Sequence, residues 1–440
     1  MAELTALAQG GSSAEELAAT AARAERALEE YLGFAPADLW SWQQLTALYE
    51  QYELAGRAQN ATARALEFAP GDALLHARYA RLSFALGGRE RVLADYAAFA
   101  RRHPEVALAA WYPALQHYEA GCEALAAERE GAAEFTAAQE LFARAEALDA
   151  SIQESCAQYA AACRVGLGWS KLVAGQGRAA EQEFRAAEAL APGTLARELP
   201  AGLASGLAGL ARIARECADA DSARAAALFE ELHRLAPQEA GWANDAGLAL
   251  RDDAVALERA GRSACTRGAG ADAEHLLARA RDEMERSLRA YQDAVALAPE
   301  DPGLLNDCAL ILVYHLQRDA DEAERMLRHV LELAEAPLSG LAAAAAEEGL
   351  EPEQKSERSL AHQRQLTIVG DARQNLGVLY LTLRGDAKTA LGYLESCRGM
   401  GPDPRTEVNQ YLATAHAALE HGIDPRVDDA TRWAAPCKDK

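Results

Sequence analysis

The feature that most limits what this chain can fold into is a helix–turn–helix pattern that returns after 34 residues. It is clearest over Ala161–Thr194, AACRVGLGWSKLVAGQGRAAEQEFRAAEALAPGT, where two apolar helical patterns flank Gly175–Gly177. The first carries Leu167 and Gly168; the second carries Ala180, Phe184 and Ala187 and stops at Pro192. The same 34-residue interval separates Pro70 from Pro104. A unit this short cannot bury its apolar stripe alone, so each copy has to stack on the next.

Composition agrees with that reading. Half of the residues are apolar and only 6% are aromatic, with alanine dominant. Alanine fits a helix at least cost and lets neighbouring helices approach closely. Runs of Val, Ile and Thr with period-two alternation are missing, so no sheet is expected and the fold class is all-α. The formal net charge of −23 argues against nucleic acid or an anionic membrane surface as partner, since both demand a basic footprint. It would favour a basic protein or peptide, while the plainer reading is an acidic surface that keeps an Ala-rich chain soluble. The N-terminal stretch has neither a basic n-region nor an apolar h-region, and no apolar run reaches the length of a membrane span. Eight cysteines are scattered without a C-x-x-C, and Cys156 and Cys163 stand about 10 Å apart by helical rise, too far for a disulfide. Most read as small buried apolar residues in a reducing compartment, which makes the cytoplasm the expected location.

Taken in order, Ser13 and Glu16 form a capping box for an N-terminal capping helix within residues 1–36. Helical repeats follow over 37–336. In the first pair Trp42, Leu45, Tyr49, Ala58, Ala65 and Pro70 keep the spacings W-x2-L-G-x2-Y…A-x3-F-x2-A…P, with Thr46 at the glycine and Thr62 at the aromatic. The sixth pair is elongated: its first helix starts at Trp242, the stretch Gly261–Gly270 is expected to interrupt it, and the second helix runs from near Ala271 to Leu297. On that helix Asp282–Arg286 and Glu285–Arg289 have i,i+4 spacing. Residues 337–368 read as an irregular Ala/Glu-rich connector with a loop over Glu351–Arg358. A last repeat with Asn375, Gly377, Tyr380, Ala390 and Leu394 and a capping helix occupy 369–421, and 422–440 reads as a flexible tail.

Through these spacings the chain resembles the tetratricopeptide repeat family over roughly residues 38–402, closely in 39–72, 161–194 and 370–403. The resemblance implies a right-handed superhelix, an α-solenoid of antiparallel helix pairs. It further implies a non-catalytic scaffold or adaptor that binds a peptide or protein segment in a concave groove lined by the first helices. Carried onto this sequence, the groove positions are Asn244 and Leu248, Asn306 and Leu310, and Gln374 and Val378, with Arg251 and Tyr314 further along. Each of three first helices thus offers an amide followed by an aliphatic. An amide both donates and accepts, and so can bond an extended backbone; the plainer alternative is that these amides bond one another or water. Asp245 and Asp307 stand where many repeats have asparagine, and the basic residues of a carboxylate clamp are absent. Acidic groove walls suit a basic segment.

Trp40 also falls at a groove position, as a candidate hot spot; packing beneath the N-terminal helix is the favoured expectation, and Trp111 and Tyr112 are expected in the core. No H-E-x-x-H, Walker loop or G-x-S-x-G is present, no cofactor or metal site is indicated, and the dispersed histidines and paired carboxylates read as surface charge. The alternatives to a scaffold are a structural, self-associating subunit and, behind it, an enzyme or ligand sensor with an unrecognised site.

Overall fold

The structure, a computed structural model, describes residues 14–347, 351–400 and 406–426. Every regular element among them is helical. The chain divides after Gly209 into two compact units, and each is built from antiparallel helix pairs. The fold is all-α, as the composition requires. No described helix is long and apolar enough to cross a membrane.

The first unit opens with α1 (Ala14–Phe34), followed by α2 (Leu39–Gln51), α3 (Ala55–Phe68), α4 (Ala73–Arg102), α5 (Leu108–Ala126), α6 (Ala132–Leu148), α7 (Gln153–Val173) and α8 (Gly177–Leu190). The expected cap Ser13 lies outside the described residues. α4 is two helices of one pair run together: Gly87 and Gly88 have non-helical backbone angles, and Gly88 has φ +63°, so the turn survives inside a nominally continuous helix. Elsewhere helix starts are fixed by short acidic side chains. Asp38 accepts from the amide of Ser41, and Asp72 from those of Leu74 and Leu75.

Glycine and aromatic ring meet repeatedly in this unit. A Cβ at Gly168 on α7 would stand 2.5 Å from the Phe184 ring, and one at Gly209 would stand 2.3 Å from the same ring. Phe135 on α6 is held likewise between Gly121 on α5 and Gly166 on α7. Each ring is fully buried and rests on bare backbone of the first helices before and after it. In the first pair the two threonines fill this space. Thr46 and Thr62 bring their hydroxyls to 3.4 Å, and each donates to the carbonyl four residues back, so no polar group is stranded. Trp111 and Tyr112 join the packed aromatics as expected: Trp111 meets Phe142 and Tyr159 edge-on, and Tyr112 stacks on His76 and Tyr96.

The second unit contains α9 (Gly206–Cys217, which begins just before the division), α10 (Ser222–Leu235), α11 (Ala240–Thr266), α12 (Gly270–Leu297), α13 (Pro302–Leu310), α14 (Ala320–Glu335), α15 (Leu338–Ala345), α16 (Pro352–Leu379), α17 (Ala387–Cys397) and α18 (Thr406–His421). Three sequence expectations change here. Gly261 does not interrupt the sixth pair; it is buried inside α11, where a Cβ would meet Leu277 of α12 at 2.9 Å, so this glycine is a packing contact and the turn is confined to 267–269. Arg286 and Glu285 leave their own helix: Arg286 binds Glu230 of α10 at 2.6 Å as well as Glu283, and Glu285 takes a two-point contact from Arg318 at 2.7 Å. A guanidinium reaching a neighbouring helix gains a second carboxylate that the i,i+4 geometry does not offer. The loop expected over Glu351–Arg358 is helical as the first turns of α16, with Pro352 at the N-terminal position where its missing N–H costs nothing; α15 occupies most of the preceding stretch. Residues 348–350, 401–405 and 427–440 lie outside the described residues, as does most of the expected tail.

The longer period in this unit has a local cause. From Gly168 to Ala180 is 12 residues, whereas Gly377 to Ala390 is 13 and Ala309 to Ala323 is 14. α13 continues as a π-helix over Ile311–Leu316, and α16 does so over Tyr380–Arg384, each closed by a left-handed residue, Gln317 or Gly385. A π turn holds one residue more than an α turn. That accounts for the one residue added before Ala390 and for one of the two added before Ala323, and both alanines still arrive fully buried.

The glycine seats are open to test. Gly168→Ala should lower stability by about 1–3 kcal/mol in urea unfolding followed by circular dichroism, because the added methyl displaces a fully packed ring. Gly177→Ala, where nothing lies within 4 Å, should change it by less than about 0.5 kcal/mol.

Candidate functional site

The first helices of the last three pairs, α11, α13 and α16, carry the eight positions named from the sequence. The structure separates them into two groups. Asn306 and Val378 are buried. The Asn306 Oδ1 accepts from Asn375 Nδ2 at 2.9 Å, and the Asn375 Oδ1 accepts from the Tyr314 hydroxyl at 2.9 Å. Tyr314 belongs to the π turn after α13, and its ring packs edge-on against Tyr411 of α18 at 6.4 Å. It is partly buried and links α13 to α16 and α18. Leu310 packs partly on the same core, and Gln374 is half-buried beside Tyr314.

The amides of α13 and α16 therefore bond to each other. The sequence register placed Gln374 opposite Asn306, each three residues before Gly377 or Ala309. The residue that actually pairs with Asn306 is Asn375, one position later. The signal was present as a second amide beside the first, but helix spacing alone could not say which of two neighbours would turn inward.

The remaining positions stay accessible. Leu248 is 39% exposed on α11. Asn244 is half-buried; it hydrogen-bonds the Asp245 carboxylate, and its Oδ1 is buried without a hydrogen-bond partner among the described residues. Arg251 places Nε and Nη2 at 3.0 and 2.8 Å from one oxygen of Asp252.

Electrostatics distinguish this face from an ordinary solvated surface. Burial pushes the Asp245 carboxyl above its usual range, opposed by Arg215 at 3.5 Å. The Arg215 guanidinium also lies 5.8 Å from the Trp242 ring centroid. Burial likewise pushes up Asp307; Arg251 opposes the shift, while Asp371 and Asp301 add to it. Two successive first helices thus each hold a partly buried carboxylate whose lost hydration outweighs the arginine beside it, Arg215 or Arg251. Among the described residues no group of His, Cys, Asp or Glu could hold a metal ion.

Helix pairs of this spacing, with small residues seated under rings, decide the fold. It is tetratricopeptide-like. No family model matches the chain, and no curated protein matches it. Solved structures similar to it include a tetratricopeptide repeat protein from Parabacteroides merdae (11% identity, 69% of this chain and 98% of that one, TM-score 0.28). The human IFIT1 dimer with m7Gppp-AAAA is 13% identical, with 87% of each chain covered and a TM-score of 0.23. Yeast Tom70 is 14% identical, with 96% of this chain and 95% of that one covered and a TM-score of 0.19. At these values the overlap carries no ligand or partner across to this tetratricopeptide-like chain.

Trp40 departs from expectation: it remains 61% exposed. It borders a cleft that it shares with Ala27, Leu28 and Tyr31 of α1, so it lies beside that helix and is not packed beneath it.

The buried amide link yields a test. Asn375→Ala should cost about 1–3 kcal/mol, since it removes the acceptor of the Tyr314 hydroxyl and takes the donor from the buried Asn306 Oδ1. Tyr314→Phe combined with it should cost less than the sum of the two single changes, read as coupling in a double-mutant cycle by urea unfolding.

Proposed function

We propose that this protein is a non-catalytic interaction scaffold, and that the face of α11 and α13 in the second unit binds a basic segment of a protein partner. The observation that carries this reading is the pair of under-compensated carboxylates, Asp245 and Asp307, on successive first helices. Their ionised forms are disfavoured by burial, and an incoming lysine or arginine would supply the missing charge in a partly desolvated place, where it counts for more than on open surface. Leu248 offers an exposed apolar contact on the same helix. The absence of nucleophile, metal or phosphate-binding motifs in the sequence supports the non-catalytic part. The net charge of −23 would steer such a segment towards the chain.

A buried carboxylate that awaits a cation should work against the free protein. For a carboxyl whose folded pKa is raised, the penalty is present above the folded pKa and is gone below the unfolded value. Asp307→Asn should therefore raise stability at neutral pH, and the gain should fade as pH drops through the raised pKa towards the ordinary aspartate range. The same variant should weaken binding of a basic peptide by about tenfold at low salt and reduce the salt dependence of that binding. Thermal unfolding over a pH series and fluorescence anisotropy with a labelled Lys/Arg-rich peptide read the two effects. Unchanged peptide affinity in both Asp307→Asn and Asp245→Asn would remove the assignment.

A further inference from the structure

Between α8 and α9 of the first unit the chain runs through residues 191–205 with no element longer than one 3₁₀ turn, Pro200–Gly202. The corresponding connections in the second unit are 236–239 and 298–301, so this one is far longer than joining two helices needs. It is nonetheless packed down. Leu195, Leu199 and Leu203, each four residues after the last, are 1%, 6% and 8% exposed. Two hydrogen bonds tie its middle to first helices. The Tyr118 hydroxyl of α5 donates to the Pro200 carbonyl at 2.9 Å, and the Trp169 indole N–H of α7 donates to the Ala204 carbonyl at 2.9 Å. Tyr118 stands three residues before Gly121, and Trp169 one residue after Gly168, the glycines on which Phe135 and Phe184 rest. These are the offsets that place Asn244 and Leu248 about Gly247, the register of the groove. The segment therefore lies across the first-helix face of α5 and α7.

Its manner of attachment is that of a bound peptide. The ends are fixed: the Glu188 carboxylate accepts from the amides of Gly193 and Leu195 at 2.7 and 3.1 Å, and the Leu195 carbonyl accepts from the Leu207 amide at 3.2 Å. Between 196 and 204, among the described residues, only the amides of Arg197 and Leu203 make backbone bonds, each at 3.4 Å. Ala201 sits at φ +55°, a conformation that costs a residue with a Cβ and persists only where the surroundings hold it. What holds the middle of the segment is thus the burial of its leucines and two carbonyls offered to groove donors.

We infer that residues 195–204 are a built-in occupant of the concave face of α5 and α7, and that this face opens to take a like segment of a partner protein: non-helical, with leucines four residues apart around a proline. Tyr118 and Trp169 each donate to a main-chain carbonyl, so they select for an irregular backbone, and the leucine seats select for apolar side chains in step with it. The tether holds the internal copy at an effective concentration on the order of millimolar, which keeps the face closed until a partner competes.

Fluorescence anisotropy on the full chain tests this with a labelled peptide of residues 192–206, and with a control peptide in which its three leucines are aspartates. The double variant Leu199→Asp/Leu203→Asp, with its own segment released, should bind the first peptide at least about tenfold tighter than the wild type does, and the control not at all. Adding Tyr118→Phe should weaken that binding by about threefold to tenfold. In the wild type, excess peptide should speed trypsin cleavage after Arg197 several-fold, because this exposed arginine lies in the displaced segment. A difference below twofold between wild type and the folded double variant, or equal binding of the control peptide, would overturn the inference. If circular dichroism shows that the double variant fails to fold, cleavage in the wild type decides: a faster rate sustains the inference, and an unchanged rate makes the segment a permanent part of the core. None of these outcomes bears on Asp245 or Asp307, so this face and the acidic one stand or fall separately.

Discussion

The contact on which the first unit depends is an aromatic ring laid on bare backbone. A helix pair of this size buries too little to hold itself together, and what joins one pair to the next is close approach. Phe184 rests against Gly168 and Gly209, and Phe135 against Gly121 and Gly166. Each ring bridges the first helix of its own pair and that of the following pair, so the same side chain closes a hairpin and stacks it. Full burial of a phenylalanine contributes on the order of 2–3 kcal/mol, and it does so only because the glycines admit it. The threonine pair at 46 and 62 shows a second way to fill the space, with two small hydroxylated side chains that satisfy themselves on their own helices.

Much of this was legible in the sequence, because packing constraints repeat and site chemistry does not. The period, the breaking proline and the small–aromatic–small spacing reveal the pairs, and the two threonines were visible as a departure from it. Gly261 was misread for a physical reason: a glycine in a helix can mark a break or a close approach, and only the facing Leu277 tells them apart. The segment at 351–358 is similar. Its charged residues have no apolar stripe to announce a helix, yet α16 continues through them because the buried part of the helix lies further on, at Val369, Ala372 and Leu376.

The candidate face was legible only in part. Residue types gave the acidic character of Asp245 and Asp307, and burial then gave it physical force. Of the amide series, Asn306 is committed within the fold, because hydrogen-bond partners are decided by single-residue register. It pairs with Asn375, and Tyr314 joins them in a polar bridge between α13 and α16. Such a bridge has every member satisfied, which is the condition under which polar groups rigidify a core and do not weaken it.

The two π turns set a boundary on what these helices can read. One added residue turns everything after it by about 100° relative to the α-helical phase before it. In α13 and α16 the side chains ahead of Ile311 and Tyr380 share one angular phase, and those beyond share another. The buried second-helix partners are unaffected, because the extra residue is spent before the turn. A ligand lying on these helices is not so protected: whatever periodicity it matches in the first part of each helix it loses at the π turn. Lengthening the repeat in this way leaves the stacking of the pairs unchanged and shortens the stretch over which a bound chain can stay in step with them.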